Sequence, residues 1–168
     1  MDKNLLYDLI IYVENIYLAF KIERYDYSLA SRKRSDKKIY FIDNGLAGII
    51  THQFSQNSGR LLENAVFIFL RKQFGNIYEN NIFYYKDKVE CDFVIFDRDR
   101  PQYCIQVSYD ISEPETRKRE IKGLLAALKH FKLSEGYIIT AEHEEELTIK
   151  DKIIFIKPAY KLMINNKF

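Results

Sequence analysis

Hydrophobic and polar positions alternate between two periods along this chain, and the switches between them mark the elements. Leu5, Leu6, Leu9, Ile10 and Val13 follow helical spacing, after which Ile16, Leu18, Phe20 and Ile22 alternate as a strand as far as a tight turn at Glu23 to Tyr27. A helix is expected from about Ser58 to Phe74, where Leu61 to Leu70 is apolar apart from Glu63 and Asn64, so that most of its circumference must be buried. Val89 to Phe96 and Tyr103 to Tyr109 have strand composition and flank the polar turn Asp97-Arg98-Asp99-Arg100-Pro101, which reads as a hairpin. Ser112 to Leu133 reads as a helix opened by a capping box at Ser112-Glu113-Pro114-Glu115, with Ile121, Leu124, Leu125, Leu128 and Phe131 as its buried stripe. Tyr137 to Thr140 and Lys152 to Ile156 complete the strands, Asp43 N-caps a short helix through Leu46 and Ile49, and the acidic run Glu142 to Glu146 is expected to cap and solvate another. The fold class that follows is α/β, a mixed central sheet flanked by helices with a small N-terminal helix-strand appendage.

Polar residues inside these apolar elements carry the chemistry. Glu90 and Asp92 point to one side of their strand, ~7 Å apart, a spacing that suits a divalent cation. Gln106 and Ser108 share a face of the next strand, and Asp92, Gln106 and Ser108 converge if the polar faces of the hairpin coincide. Glu63 can complete such a site from its helix; alternatively it lies near the helix N-terminus, favoured by the dipole and paired with a base such as Arg60. Either way a carboxylate on so apolar a segment needs a partner, because a lone buried charge costs several kcal/mol or is neutralised.

Three stretches, Lys38 to Leu46, Gly59-Arg60-Leu61-Leu62-Glu63-Asn64 and Glu90-Cys91-Asp92-Phe93-Val94, resemble successive signatures of a domain of unknown function at the C-terminal end of archaeal and bacterial AAA-type ATPases. That resemblance extends over nearly the whole chain and implies a restriction-endonuclease-like core with a PD-(D/E)xK site. In that pattern an Asp begins one strand, an acidic residue or Gln and a Lys sit two apart on the next, and a helical Glu joins them. By position Asp92 is the Asp, Gln106 the acidic or Gln position, Ser108 the Lys position and Glu63 the helical Glu. The expected metal is Mg²⁺ or Mn²⁺, weakly held through Glu63, Asp92 and Gln106, since Gln106 is neutral.

Serine in the lysine position is the departure that matters. Losing one preorganised electrostatic group costs roughly 10² to 10³ in rate. Lys118 lies on the inward side of its helix and is the replacement within reach, although a stem packed on the core with its ammonium in water is the better supported reading. Lys86 and Lys88 are weaker replacements. Glu63, Asp92, Gln106 and Lys118 therefore make up the candidate catalytic set.

Composition bounds the rest. The 168 residues are 47% hydrophobic and 30% charged with only six Gly and three Pro, which describes one well-buried globular domain. A net charge of +2 does not announce nucleic-acid binding, so that claim rests on local clustering at Arg32, Lys33, Arg34, Lys37 and Lys38, read as one polar loop near Tyr25 and Tyr27. An alternative is a solvated linker. Cys91 and Cys104 are expected on opposite sheet faces as buried thiols, and scattered His52, His130 and His143 make a structural zinc site improbable. No apolar run approaches the roughly 18 residues of a membrane span and no secretory signal opens the chain, so the expected location is cytoplasmic.

Residues 1–36 read as an appendage and basic loop, the tail of an upstream module, and 37–168 as the endonuclease-like domain. No Gly-x-x-x-x-Gly-Lys-Ser/Thr loop is present, so no ATP site is expected, and the implied partner is an ATPase domain upstream in the same or another polypeptide, with DNA as a further partner. Two functions compete. One is an accessory domain with a degenerate, non-cleaving site used for nucleic-acid contact or assembly; the other is a Mg²⁺- or Mn²⁺-dependent DNA nuclease with a relocated lysine. The missing lysine favours the first.

Overall fold

A computed structural model describes residues 3–51, 58–75 and 81–165. In chain order the elements are α1 (Lys3–Asn15), β1 (Ala19–Arg24), α2 (Leu29–Arg34), β2 (Lys37–Phe41), α3 (Asn44–Thr51), α4 (Ser58–Phe74), β3 (Ile82–Lys86), β4 (Glu90–Asp97), β5 (Arg100–Val107), α5 (Pro114–Phe131), β6 (Glu135–Thr140), β7 (Glu145–Ile149), β8 (Lys152–Pro158) and α6 (Ala159–Asn165). One mixed eight-stranded sheet runs in the order β2-β1-β3-β4-β5-β6-β8-β7. Its parallel pairs are β1 with β3, β5 with β6 and β6 with β8. Strand β1, from the expected N-terminal appendage, is thus an internal strand of this sheet, paired on its other side with β2.

Apolar side chains divide between the two faces of the sheet. One face buries Val66, Phe67 and Leu70 of α4 against Phe93, Ile95, Ile105 and Ile139. The other buries Leu124, Ala127, Leu128 and Phe131 of α5 against Val94, Phe96, Ile138 and Ile154. Asn64, the second polar residue of the apolar α4 run, is buried because it ties the helix to β2. Its Oδ1 accepts from the Phe41 N–H at 2.8 Å, while its Nδ2 donates to the Phe41 carbonyl at 3.1 Å and to Asn44 Oδ1 at 2.9 Å.

A bulge in β4 overrides the alternation read from the sequence. Phe83 pairs with Val94 but Tyr85 pairs with Cys91, so β4 spends one residue more than β3 over the same interval, at Asp92-Phe93. The extra residue turns Cys91 to the α5 face. Both cysteines therefore lie in one cluster as free buried thiols, not on opposite faces as alternation implied.

Three local expectations are also revised. Helix α5 begins at Pro114 with Glu113 as its N-cap and no side-chain cap, because Ser112 is bound instead through its N–H and hydroxyl to the Asp110 carboxylate, each at 2.8 Å. The Glu142 to Glu146 run forms no helix; Glu145 onward alternates and pairs with β8 as the edge strand β7. The basic loop is not a loop. Ser28 N-caps α2, and Lys37 and Lys38 already belong to β2. By contrast Asp43 does cap α3, its Oδ1 accepting from the Leu46 N–H at 2.8 Å. Among the described residues no helix is long and apolar enough to cross a membrane.

Candidate functional site

The polar cluster forms where β4 and β5 part. Their pairing ends at Phe93 with Ile105, and beyond it the Asp92 carboxylate replaces the ladder by accepting from the Val107 N–H through Oδ2 at 3.0 Å. Its other oxygen faces Lys38. Alternation along β2 puts Lys38 and Tyr40 on the α4 side, and the Lys38 ammonium lies 2.8 Å from Asp92 Oδ1, 2.8 Å from Glu90 Oε1 and 3.1 Å from Glu63 Oε1. The Tyr40 hydroxyl donates to Glu63 Oε1 at 2.7 Å, and Lys86 reaches the second oxygen of Glu90 at 3.1 Å. Glu63 thus finds its partners in β2 and not in Arg60, which is exposed.

Electrostatics follow from three carboxylates around one ammonium. Burial disfavours the charge on Lys38, but attraction from Asp92 and Glu63 outweighs it and holds the ammonium well above the ordinary lysine value. Burial, reinforced by the Glu63 charge, pushes the Asp92 carboxyl up to about 6 against the pull of Lys38 and the Val107 N–H. For Glu90 burial is outweighed by the bonds from Lys38 and Lys86, and its carboxyl falls below the usual value. Burial and Glu63 raise the Tyr40 phenol far above its ordinary value, so it remains a donor.

Gln106 and Ser108 line the same cavity, of about 640 Å³, together with Glu63, Glu90 and Asp92. The Gln106 amide nevertheless turns toward α5, donating through Nε2 to Glu120 Oε2 at 2.6 Å, and its buried Oε1 has no hydrogen-bond partner. The second Glu120 oxygen accepts from the Arg119 guanidinium at 2.6 Å. The Ser108 hydroxyl donates to the Asp110 carbonyl at 3.0 Å. Lys118 is exposed on α5 and does not line this cavity.

What the carboxylates can hold is set by the ammonium already between them. The Lys38 ammonium already stands between the three carboxylates and one Asp92 oxygen is committed to Val107, while only Nε2 of the Gln106 amide is engaged, by Glu120, and its Oε1 has no partner. Among the described residues no group of three or more His, Cys, Asp or Glu side chains is arranged for a metal ion. As arranged, the three carboxylates are paired with the protein's own cation.

The expected basic patch is dispersed. Arg32 lies 5.0 Å over the Tyr25 ring and 4.8 Å over the Phe83 ring, Lys37 pairs with Glu23 at 3.3 Å, and Lys38 belongs to the acidic cluster. Lys33 and Arg34 remain exposed. Of the histidines, His130 packs on Tyr85 at 4.7 Å and His143 lies 3.1 Å from Glu145, while His52 is outside the described residues. Lys38, Tyr40 and Glu120 have site positions that the sequence reading did not assign to them. The Lys38-Ile39-Tyr40 alternation was a usable signal for the first two, and for Glu120 it was an acidic residue four before Leu124 on the buried stripe of α5.

Residues 58–162 match the family described as a domain of unknown function, DUF4143. An uncharacterized protein of Methanocaldococcus jannaschii is 36% identical over an alignment of 168 positions, which covers 96% of this chain and 36% of that protein. The chain thus spans about a third of the length of this relative. No solved structure matches it.

Proposed function

Taking as premise that the chain belongs to the DUF4143 family, we propose that it is a non-cleaving accessory domain with a degenerate endonuclease-like site, working with an AAA-type ATPase in the same or a partner polypeptide. The Lys38 ammonium among Glu63, Glu90 and Asp92 is the observation that carries this reading. An internal cation partly offsets the charge of the acidic cleft where a nuclease would recruit a metal, and Ser108 supplies no positive charge beside it. The succession α4, β3, β4, β5, α5, β6, with Asp92 on the second of these strands, supports an endonuclease-like ancestry. Fold ancestry does not carry activity with it. The retained role is nucleic-acid contact or assembly, and Lys33 and Arg34 are the exposed bases available for phosphate contact.

A nuclease with a relocated lysine is the second reading, and Lys38 favours it in one respect: its ammonium stands 2.8 Å from Asp92, closer to the cleft than the exposed Lys118. That reading requires a cation to enter and drive Lys38 outward. Incubating supercoiled plasmid with Mn²⁺ or Mg²⁺ and the wild-type or Asp92→Ala protein separates the two. Equal background nicking is expected; nicking that disappears in Asp92→Ala overturns the non-cleaving reading.

A further inference from the structure

On the sheet face opposite the acidic cluster, we infer that an aromatic groove beside the turn between β1 and α2 binds the bases of single-stranded nucleic acid by stacking. This inference rests on the nucleic-acid reading above but assigns the contact to a different surface. The groove encloses about 810 Å³, room for a nucleotide, and is lined by Tyr25, Tyr27, Arg32, Phe83, Phe96 and Arg98, with Asp99 also at its wall.

Its floor is a built ring stack. Tyr25 lies parallel to Phe96 at 4.7 Å and meets Phe83 and Phe131 edge-on at 5.7 and 5.1 Å. The Arg32 guanidinium covers Tyr25 and Phe83. Above this floor Tyr27 is 78% exposed and touches Tyr25 edge-on at 5.4 Å, with His130 at 6.0 Å. Such exposure of a large ring is compatible with a loop displayed for binding, because the backbone beneath it is pinned. Asp26 Oδ1 accepts from the Ser28 N–H at 2.8 Å, the Asp26 carbonyl accepts from Arg32 Nε, and Ser28 caps α2. A backbone held in place loses little freedom on binding.

The chemistry selects single strands. Every base has a stackable face that a duplex hides, and stacking on an aromatic side chain is tolerant of sequence. Arg32 and Arg98 against Asp99 leave one net positive charge in the lining, enough to orient a phosphate and too little to hold a duplex by charge alone.

Fluorescence anisotropy of a labelled oligothymidine of about 12 nucleotides, within the usual site size, provides the test at low salt. An abasic strand of equal length and charge, and the Tyr27→Ala and Tyr27→Phe proteins, complete the comparison. Oligothymidine is expected to bind more tightly than the abasic strand, with Tyr27→Ala weakening it roughly 5- to 150-fold and Tyr27→Phe retaining it. Equal binding of the abasic strand, or an unchanged Tyr27→Ala affinity, overturns the groove while leaving phosphate contact elsewhere intact. No binding of any strand by the wild-type protein overturns the nucleic-acid reading and the groove together.

Discussion

Replacing Lys38 with Met keeps an unbranched stem of similar length and removes the charge from the centre of three carboxylates. Each contact at 2.8 Å is worth about 6 kcal/mol of Coulomb attraction at an effective dielectric of about 20. Desolvation of the ions and repulsion among Glu63, Glu90 and Asp92 offset most of that, and removing one member of a buried ion pair costs about 3 to 5 kcal/mol in all. The Lys38 side chain retains 22% exposure, so the lower end applies, about 3 kcal/mol at pH 8. For a chain of this length that corresponds to a fall of roughly 6 to 12 °C in Tm. The loss should be smaller at pH 5, where Asp92, with its carboxyl pushed up to about 6, takes a proton and relieves the repulsion. Thermal unfolding followed by circular dichroism at pH 5 and pH 8, with and without millimolar Mg²⁺, measures this directly. Mg²⁺ should recover part of the loss in the variant and leave the wild type unchanged, since only in the variant do the carboxylates lack their ammonium. An equal Tm deficit at both pH values, or none at pH 8, would refute the view that Lys38 is the counter-ion that makes the cluster tolerable.

Asp92 also makes stability depend on pH with a definite sign. Its folded carboxyl titrates at about 6 against an ordinary value of 3.8, so the folded chain binds the extra proton, and the contribution is fully present below the ordinary value and lost as pH rises through about 6. Urea titrations between pH 4 and pH 7 should show Asp92→Asn gaining about 2 kcal/mol on the wild type across that range; a gap that closes in the opposite direction sinks the assignment. Gly123 lets α5 approach β4 closely, since a Cβ there would stand 2.3 Å from the Glu90 carbonyl oxygen. Gly123→Ala should therefore cost about 3 kcal/mol of unfolding free energy, as overpacking against backbone does. A wild-type urea midpoint in that variant would mean that α5 does not need this close approach.

Period and composition were enough for the elements that bury one face or all faces. The helix over Ser58–Phe74, the two strands around Asp97 to Pro101 and the long helix ending near Phe131 all stand within a few residues of where the pattern puts them. The errors cluster where a short-range pattern has two solutions. Glu142 to Glu146 is compatible with a solvated helix until β8 offers Glu145 onward a ladder, and Ser112 is a competent cap until Asp110, two residues away, captures it. The chain likewise shows that Glu63, Glu90 and Asp92 are polar residues in apolar surroundings, so some partner had to exist.

Which partner was decided only in three dimensions. The bulge at Asp92-Phe93 is a mismatch between β4 and β3, invisible in either strand alone, and it turns the Asp92 carboxylate toward α4 while Gln106 turns toward α5. Lys38 sits 25 positions from Glu63 and 54 from Asp92, yet the placement of β2 beside β1 brings its ammonium between them. The sequence by itself determined that an α/β sheet protein would carry buried carboxylates, because burial and periodicity are local properties of the chain. Tertiary structure alone decided that a lysine stands among them, because charge pairing depends on distances that strand order and register create.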